Sequence, residues 1–230
     1  MQCSFKMSFQ QHKTLQQLNK KKLALHSCCA PCLIGSLQAL ENLNHSDEND
    51  ATCLQVTAVF YNPNIEPSKE YDERLAAFID YVDTYKIDHI ITDPLAEDKS
   101  PIQSSPCLEK LSRCEACYLD RLDTVARFAA SSNFDYFATT LSISPWQDLK
   151  AINQLGLRVE NDYEGLCFLP CDFRDFYNDA QRQARTLGIY CQNYCGCIPS
   201  KKEAQELRAE RKAARKAAKH RPKKQYIGQK

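Results

Sequence analysis

The sequence predicts an α/β protein built on a doubly wound, mostly parallel, Rossmann-like sheet with a basic C-terminal helix or tail. Three observations carry that prediction. Short apolar runs alternate with stretches of helical periodicity, Pro, Gly and capping residues punctuate them, and a cysteine-rich turn directly follows the first run. In such a fold the crossovers are right-handed and the ligand site lies at the carboxyl ends of the strands, where that turn falls. With 230 residues, 43% of them apolar and 26% charged, and with only six Gly and ten Pro, the chain can bury a core without disulfide staples.

The elements follow in order. Leu23 to Leu25 predict a short buried strand, and Pro31 suits the first turn of a helix whose apolar positions are Leu33, Leu37 and Leu40. Asn42 to Asn49 predict an exposed loop and Val56 to Tyr61 the second strand. Pro63 and Pro67 then start a helix in which Tyr71, Leu75, Phe78, Val82 and Tyr85 form one core stripe. His89 to Thr92 predict the third strand. A Pro-containing segment leads through Cys107 to a helix marked by Leu111, Leu119, Leu122 and Ala126, and Tyr136 to Thr140 predict the fourth strand. Ser144 predicts an N-cap with Pro145 at the first helical position, Leu166 to Leu169 a fifth strand, and Phe176, Ala180, Ala184 and Leu187 a helix ended by Gly188. Ser200 and Glu203 form a capping-box pattern, but beyond Leu207 the Lys, Arg and Ala residues leave no apolar stripe, which predicts a frayed basic helix or a disordered arm. The chain thus divides into a basic extension over 1–22, one α/β catalytic domain over 23–200 and a basic tail over 201–230.

Charge follows the same division. Residues 1–22 hold five Lys and no acid, and residues 201–230 hold twelve Lys or Arg against three Glu, while the whole chain is only +1. Basic ends around an acidic middle suit a polyanion such as nucleic acid, or a solvated tail that aids solubility. No apolar run has the ~18 residues a bilayer-spanning helix needs, and the basic start has no apolar segment of signal-peptide length, so a cytoplasmic address without membrane contact is expected.

Thirteen cysteines are too many to explain as a disulfide scaffold in a reducing compartment, and the count is odd, so metal or redox chemistry is expected. Cys29 and Cys32 have the C-x-x-C spacing, as do Cys114 and Cys117, and two such pairs can supply four thiolates to one metal or iron–sulfur cluster. More than eighty residues separate the pairs, so the fold must assemble the site. Cys28 adds a fifth thiol. At a helix start the backbone N–H groups favour thiolates, making these good ligands or nucleophiles. Inert burial fits isolated Cys3, Cys53 and Cys167 better. Cys195 and Cys197, either side of Gly196, are too close for an unstrained disulfide in regular backbone; they can cycle between dithiol and disulfide, bind metal, or do neither. Cys171 and Cys191 carry no spacing signal. Neither a G-x-G-x-x-G nor a G-x-x-x-x-G-K-S/T loop is present, which weighs against a dinucleotide-dependent dehydrogenase. His26 precedes the cysteine turn and reads as a packed strand-end histidine.

Five ordered motifs carry a resemblance. They are Leu25-His26-Ser27-Cys28-Cys29-Ala30-Pro31-Cys32, Phe60-Tyr61-Asn62-Pro63-Asn64-Ile65, Arg113-Cys114-Glu115-Ala116-Cys117, the run from Phe134 to Pro145, and Tyr194-Cys195-Gly196-Cys197. Together they resemble the epoxyqueuosine reductase QueH family over roughly residues 23–200. The resemblance implies a cobalamin-independent enzyme that reduces epoxyqueuosine to queuosine at the wobble position of tRNA, with a fold like that of PP-loop (HUP-like) tRNA-modifying enzymes. It implies a [4Fe-4S] cluster held by Cys28, Cys29, Cys114 and Cys117, and a redox-active disulfide of Cys195 with Cys197. Cys32 exceeds the four-ligand count and is left to hold a second metal ion, to act on substrate, or to replace Cys28 or Cys29. Cys191 stands where the family usually has a charged residue, and the basic ends lie outside the family core.

Removing an epoxide oxygen takes two electrons, two protons and a Lewis acid or proton donor. On this reading a cluster iron or an adjacent metal polarises the oxygen, the cluster passes electrons one at a time, and Cys195 and Cys197 refill it or finish the reduction, with an external electron donor behind them. Tyr61 and Asn62, at the end of strand two, are the candidates for holding the anticodon base. The competing expectation is a zinc-stabilised RNA-binding protein with structural thiols. A thiolation enzyme of the PP-loop kind is weakened by the missing phosphate loop.

Overall fold

The structure, a computed structural model, describes residues 21–44, 54–92 and 111–219. Strand β1 (Lys22–Ser27) leads into helix α1 (Ala30–Asn44), and β2 (Gln55–Phe60) into α2 (Ser68–Thr84). Next come β3 (His89–Ile91), α3 (Arg113–Ser131) and β4 (Tyr136–Thr139), which passes through a 3-10 turn (Thr140–Ile143) to α4 (Leu149–Glu160). β5 (Cys167–Phe168), a second 3-10 turn (Arg174–Phe176), α5 (Tyr177–Thr186) and α6 (Ile198–Lys219) complete the order. Every strand pairing is parallel, and the order across the sheet is β3-β2-β1-β4-β5. The winding reverses between β1 and β4. Their carboxyl ends therefore frame the switch point at which open α/β sheets bind ligands.

β1 is the central strand, and Leu23, Ala24, Leu25, His26 and Ser27 are all fully buried. A strand covered on both faces reads as an apolar run rather than an alternation, which is why three residues sufficed to predict it. Leu23 and Leu25 pack with Phe60, Phe78 and the apolar face of α1, while Ala24 joins Phe137, Leu122, Val125 and Ile152 on the opposite face. α1 sits close to its neighbours because Gly35 has no side chain: a Cβ there would fall 2.5 Å from Ile143 Cδ1 and 2.7 Å from Ala180 Cβ. A full capping box opens α3. Ser112 Oγ accepts from the Glu115 amide at 3.3 Å, and Glu115 Oε2 accepts from the Ser112 amide at 2.8 Å.

Several expected details differ. Ser144 does not cap a helix: it closes the 3-10 turn, its amide donating to Leu141 O at 3.2 Å, and Asp148 caps α4 by accepting from the Ala151 amide at 3.0 Å. The expected loop Asn42 to Asn49 begins as helix, since α1 runs to Asn44; its remainder lies outside the described residues, as do Cys3, Cys53 and Cys107. Pro63 sits in a turn and only Pro67 caps α2, whose stripe ends at Val82, because Tyr85 lies past the helix and is 48% exposed. Likewise Leu111 precedes the α3 cap, and Leu187 caps α5 with much of its side chain in solvent. Ser200 and Glu203 make no capping box, because α6 starts two residues earlier: the Ser200 hydroxyl donates back to Cys197 O at 2.8 Å. Of the expected basic helix or disordered arm, the structure has the helix, continuous to Lys219, and residues 220–230 lie outside the described ones. Cys167, expected to be an inert buried thiol, is exposed on edge strand β5, where alternation points it away from the core. Among the described residues no helix is long and apolar enough to cross a membrane.

Candidate active site

The turn after β1 carries the first thiols because α1 starts there. Cys28 Sγ lies 3.7 Å from Cys29 Sγ, and the sulfurs of Cys28, Cys29 and Cys32 are all within 4.8 Å of one another. Two neighbours fix this knot. Thr140, just past β4, accepts from the Cys28 amide at 3.3 Å and directs its hydroxyl at Cys28 Sγ at 3.6 Å. From the far side Gln192 Nε2 donates to Cys29 Sγ at 2.6 Å. The Cys29 and Cys32 thiols hold Cys28 well below the usual thiol range. Burial, with that anion beside it, pushes Cys29 up; the Cys28 and Cys29 sulfurs push Cys32 up.

α3 brings the second pair. Cys114 is exposed in its first turn and Cys117 is half-buried one turn on. Asn64 Nδ2 donates to Cys117 Sγ at 3.3 Å, and the Arg121 guanidinium donates to the same sulfur from the next turn. Arg121 is 2% exposed. Burial opposes its charge, but the sulfurs of Cys117, Cys195 and Cys28 outweigh that and raise its pKa. One guanidinium therefore stands where all three cysteine motifs meet.

The third pair lies on the strap between α5 and α6. Arg74 anchors it from below: buried on α2, it donates through Nε to Glu70 Oε1 at 2.8 Å, through Nη1 to Cys195 O at 2.8 Å and through Nη2 to Tyr194 O at 3.0 Å. Gly196 has φ +149°, and a Cβ there would lie 3.0 Å from Ile65 Cγ1, so this link needs glycine. From above, Gln147 Nε2 donates to Cys195 Sγ at 3.4 Å, and the Tyr118 hydroxyl donates to Gln147 Oε1 at 2.7 Å. Burial pushes the Cys195 thiol up, with Arg121 opposing it. Both Cys195 and Cys197 are free thiols.

A cavity of about 1020 Å³ opens at the switch point and is lined by Cys28, Cys32, Cys114, Cys117, Cys195 and Cys197. Cys29 lies beneath them, fully buried. The sequence-selected cysteines thus face or underlie one space, with Cys114 and Cys117 outside the tight group of three. Tyr61 lines it and donates to Asp120 Oδ1 at 3.5 Å. Asn62 does not: it is fully buried, and its Nδ2 donates to Ser27 O at 2.9 Å, tying β2 to β1. His26 is likewise a packed strut. Its Nδ1 accepts from the Thr139 hydroxyl at 2.9 Å while Nε2 donates to Tyr61 O at 3.0 Å, and burial lowers its pKa to about 4, so it stays neutral. Cys171 is buried and pushed up to about 12 by that burial, and Cys191 spends its thiol on Ile189 O at 3.4 Å. Arg74, Arg121, Gln147 and Gln192 were not found from sequence. The signal available for the two arginines is spacing: Arg74 follows Glu70, and Arg121 follows Cys117, by one helical turn.

A family model described as epoxyqueuosine reductase QueH matches residues 23–203. The epoxyqueuosine reductase QueH of Acinetobacter baylyi is 32% identical over 197 residues, covering 83% of this chain and 85% of its own. That of Thermotoga maritima is 31% identical over 193 residues, covering 81% and 93%. The solved structure of the U34-tRNA thiolase NcsA from Methanococcus maripaludis with its [4Fe-4S] cluster aligns with a TM-score of 0.48 at 13% identity, over 96% of this chain and 82% of that one.

Proposed function

This chain belongs to the epoxyqueuosine reductase QueH family, and from that premise we propose that it removes the epoxide oxygen of epoxyqueuosine at the wobble position of tRNA, leaving queuosine. The observation that supports this best is the convergence of three cysteine motifs on one cavity at the switch point of the sheet. Reduction of the epoxide consumes two electrons and two protons and releases water. Cys195 and Cys197, as a dithiol, hold that number of each and become a disulfide, which an external electron donor then reduces.

The donor set fits a thiolate-bound metal group, for three sulfurs crowd within 4.8 Å, two more stand on α3, and two buried guanidiniums offset their charge. On this reading Cys28, Cys29, Cys114 and Cys117 would hold a [4Fe-4S] cluster, and Cys32 would serve a second metal ion or the substrate. A bound cluster supplies single electrons and a Lewis acid. The chain's own part is to hold the thiolates in register through Thr140, Gln192, Asn64 and Arg121, and to keep the Cys195 link over the cavity through Arg74. Tyr61 presents an aromatic face to the extruded base; Asn62 acts on the site only by positioning the turn after β1.

Anaerobic visible and EPR spectra, with iron, sulfide and zinc analysis, test this on the wild type and on a Cys114→Ser, Cys117→Ser double variant. Broad brown absorbance with about four irons per chain, lost in the variant, is expected. A colourless chain holding one zinc after anaerobic reconstitution overturns the cluster and favours a zinc-stabilised RNA-binding protein.

A further inference from the structure

The family match ends at residue 203, but α6 continues to Lys219. Over its 22 residues α6 carries eight Lys or Arg against three Glu. It is fastened to the cavity rather than hanging from it. Glu203 pairs with Arg113 at 3.1 Å, and Arg208 donates to both the backbone and side-chain oxygens of Asn193 at 3.1 Å. Glu203, Ala204, Leu207, Arg208 and Arg211, three and four residues apart, line the cavity, so one face of the helix is part of its rim. Arg215 lies exposed one turn further along that face.

Trp146 stands across the rim. It is the single tryptophan of the chain and is 64% exposed, between the 3-10 turn after β4 and the start of α4. The Arg211 guanidinium lies 5.5 Å from its ring centroid. The ring belongs to neither core cluster, and its indole N–H donates to the Tyr177 hydroxyl, which holds the ring by its edge at the rim. A guanidinium stacked on an indole at the mouth of a cavity is the pairing with which proteins hold unstacked bases.

We propose that Trp146 and the Arg211–Arg215 face of α6 form the docking surface for single-stranded RNA at the cavity mouth. Trp146 stacks on a base next to the one that enters, and the arginines bind the adjoining phosphates. The proposal rests on the tRNA substrate of the preceding reading and adds the surface that holds its loop. Volume supports it, since about 1020 Å³ takes one extruded nucleoside and leaves the rest of an anticodon loop on the rim. Charge supports it too, because the basic stripe begins at the cavity and leads away from it. A small acidic redox protein would answer the same charge, but would have no use for an open indole face.

The test is titration of the full-length, cluster-loaded protein with a synthetic unmodified anticodon stem-loop RNA, read by Trp146 fluorescence and by anisotropy of labelled RNA. Saturable quenching is expected, with a duplex of equal length failing to quench. Trp146→Ala weakens binding about 5- to 150-fold, the range for loss of one base–aromatic stack, and Trp146→Phe restores most of it. Arg211→Ala lowers the slope of log affinity against log salt by about 0.7, one phosphate on single-stranded RNA. Binding without quenching, an unchanged affinity in Trp146→Ala, or quenching by an acidic redox protein but not by RNA overturns the proposal. Turnover of epoxyqueuosine tRNA is scored separately. Turnover with no quenching defeats the docking surface alone, and quenching with no turnover defeats the reductase reading alone.

Discussion

Arg74→Met asks whether one buried guanidinium holds the Cys195 link in place. Arg74 is 1% exposed and donates to Glu70 and to the carbonyls of Tyr194 and Cys195 at 2.8–3.0 Å. Methionine fills much of the volume but strands the Glu70 carboxylate, 8% exposed, with neutral tyrosine hydroxyls in place of a cation, that of Tyr190 at 2.8 Å. It also leaves two carbonyls unmet. Removing one partner of a buried pair costs about 3–5 kcal/mol. Against the roughly 5–15 kcal/mol that stabilises a domain, this is a large fraction. With a urea dependence of about 2 kcal/mol per molar, the unfolding midpoint falls by about 2 M. If the stranded charge is the main cost, adding Glu70→Gln recovers part of the loss, and the double-mutant cycle shows a coupling of about 0.5–3 kcal/mol. Urea titrations of wild type, both single variants and the double variant, followed by far-UV circular dichroism, measure every corner of the cycle. Strictly additive losses, or an unchanged midpoint in Arg74→Met, would refute the reasoning.

Three further outcomes are expected. Gly35→Ala drives a Cβ to within 2.5 Å of Ile143 Cδ1 and 2.7 Å of Ala180 Cβ; the overpacking costs about 1–3 kcal/mol, read as a lower thermal midpoint, and an unaltered midpoint would mean that α1 shifts freely. Thr139→Val removes the hydroxyl bonded to His26 at 2.9 Å and capping the Leu141 amide at 3.1 Å, and leaves both buried. About 1–3 kcal/mol should go with it, whereas a neutral result in thermal melts would show that the two groups find other partners. Cys195→Ser retains the iron content of the wild type and gives no multiple turnover with excess reductant; sustained turnover would remove Cys195 from the electron path.

The central strands were readable because a sheet covered on both faces leaves apolar runs, as at Leu23 to Leu25 and Tyr136 to Thr140. The cysteines were readable because spacing and position after a strand are local properties of the chain. Helix starts were less legible. Ser144-Pro145 reads as one from sequence, but β4 runs into the 3-10 turn and uses up Ser144 before a helix can begin, so Asp148 caps α4 instead. At Ser200 the capping-box pattern lost to a start at Ile198, because the strap holding Cys195 and Cys197 delivers the chain to the cavity rim two residues earlier. The arginines were missed for a different reason. Compositional rules place Arg in solvent, and at Arg74 and Arg121 residues distant in sequence, Cys195 at one and Cys28 at the other, add to the local partners Glu70 and Cys117.

Those two arginines also bear on what the cavity is for. A guanidinium withdrawn from water costs several kcal/mol unless an anion meets it. Arg74 has Glu70, but Arg121, 2% exposed, has Cys117 as its bonded acceptor, and among the described residues its Nε has no partner. A neutral thiol is a weak acceptor and would leave that charge nearly unmet. The sulfurs of Cys117, Cys195 and Cys28 together raise the Arg121 pKa against the cost of its burial. Burial of Arg121 therefore suits a sulfur set that holds a metal group, since crowded thiolates would repel one another without a buried cation between them. Inert packing thiols would gain nothing from such a neighbour, as Cys171 shows: burial among apolar residues pushes its pKa up to about 12. The cavity thus sets a buried cation among its sulfurs, and the arrangement comes from α3 itself, where Cys117 and Arg121 stand one turn apart on the same face.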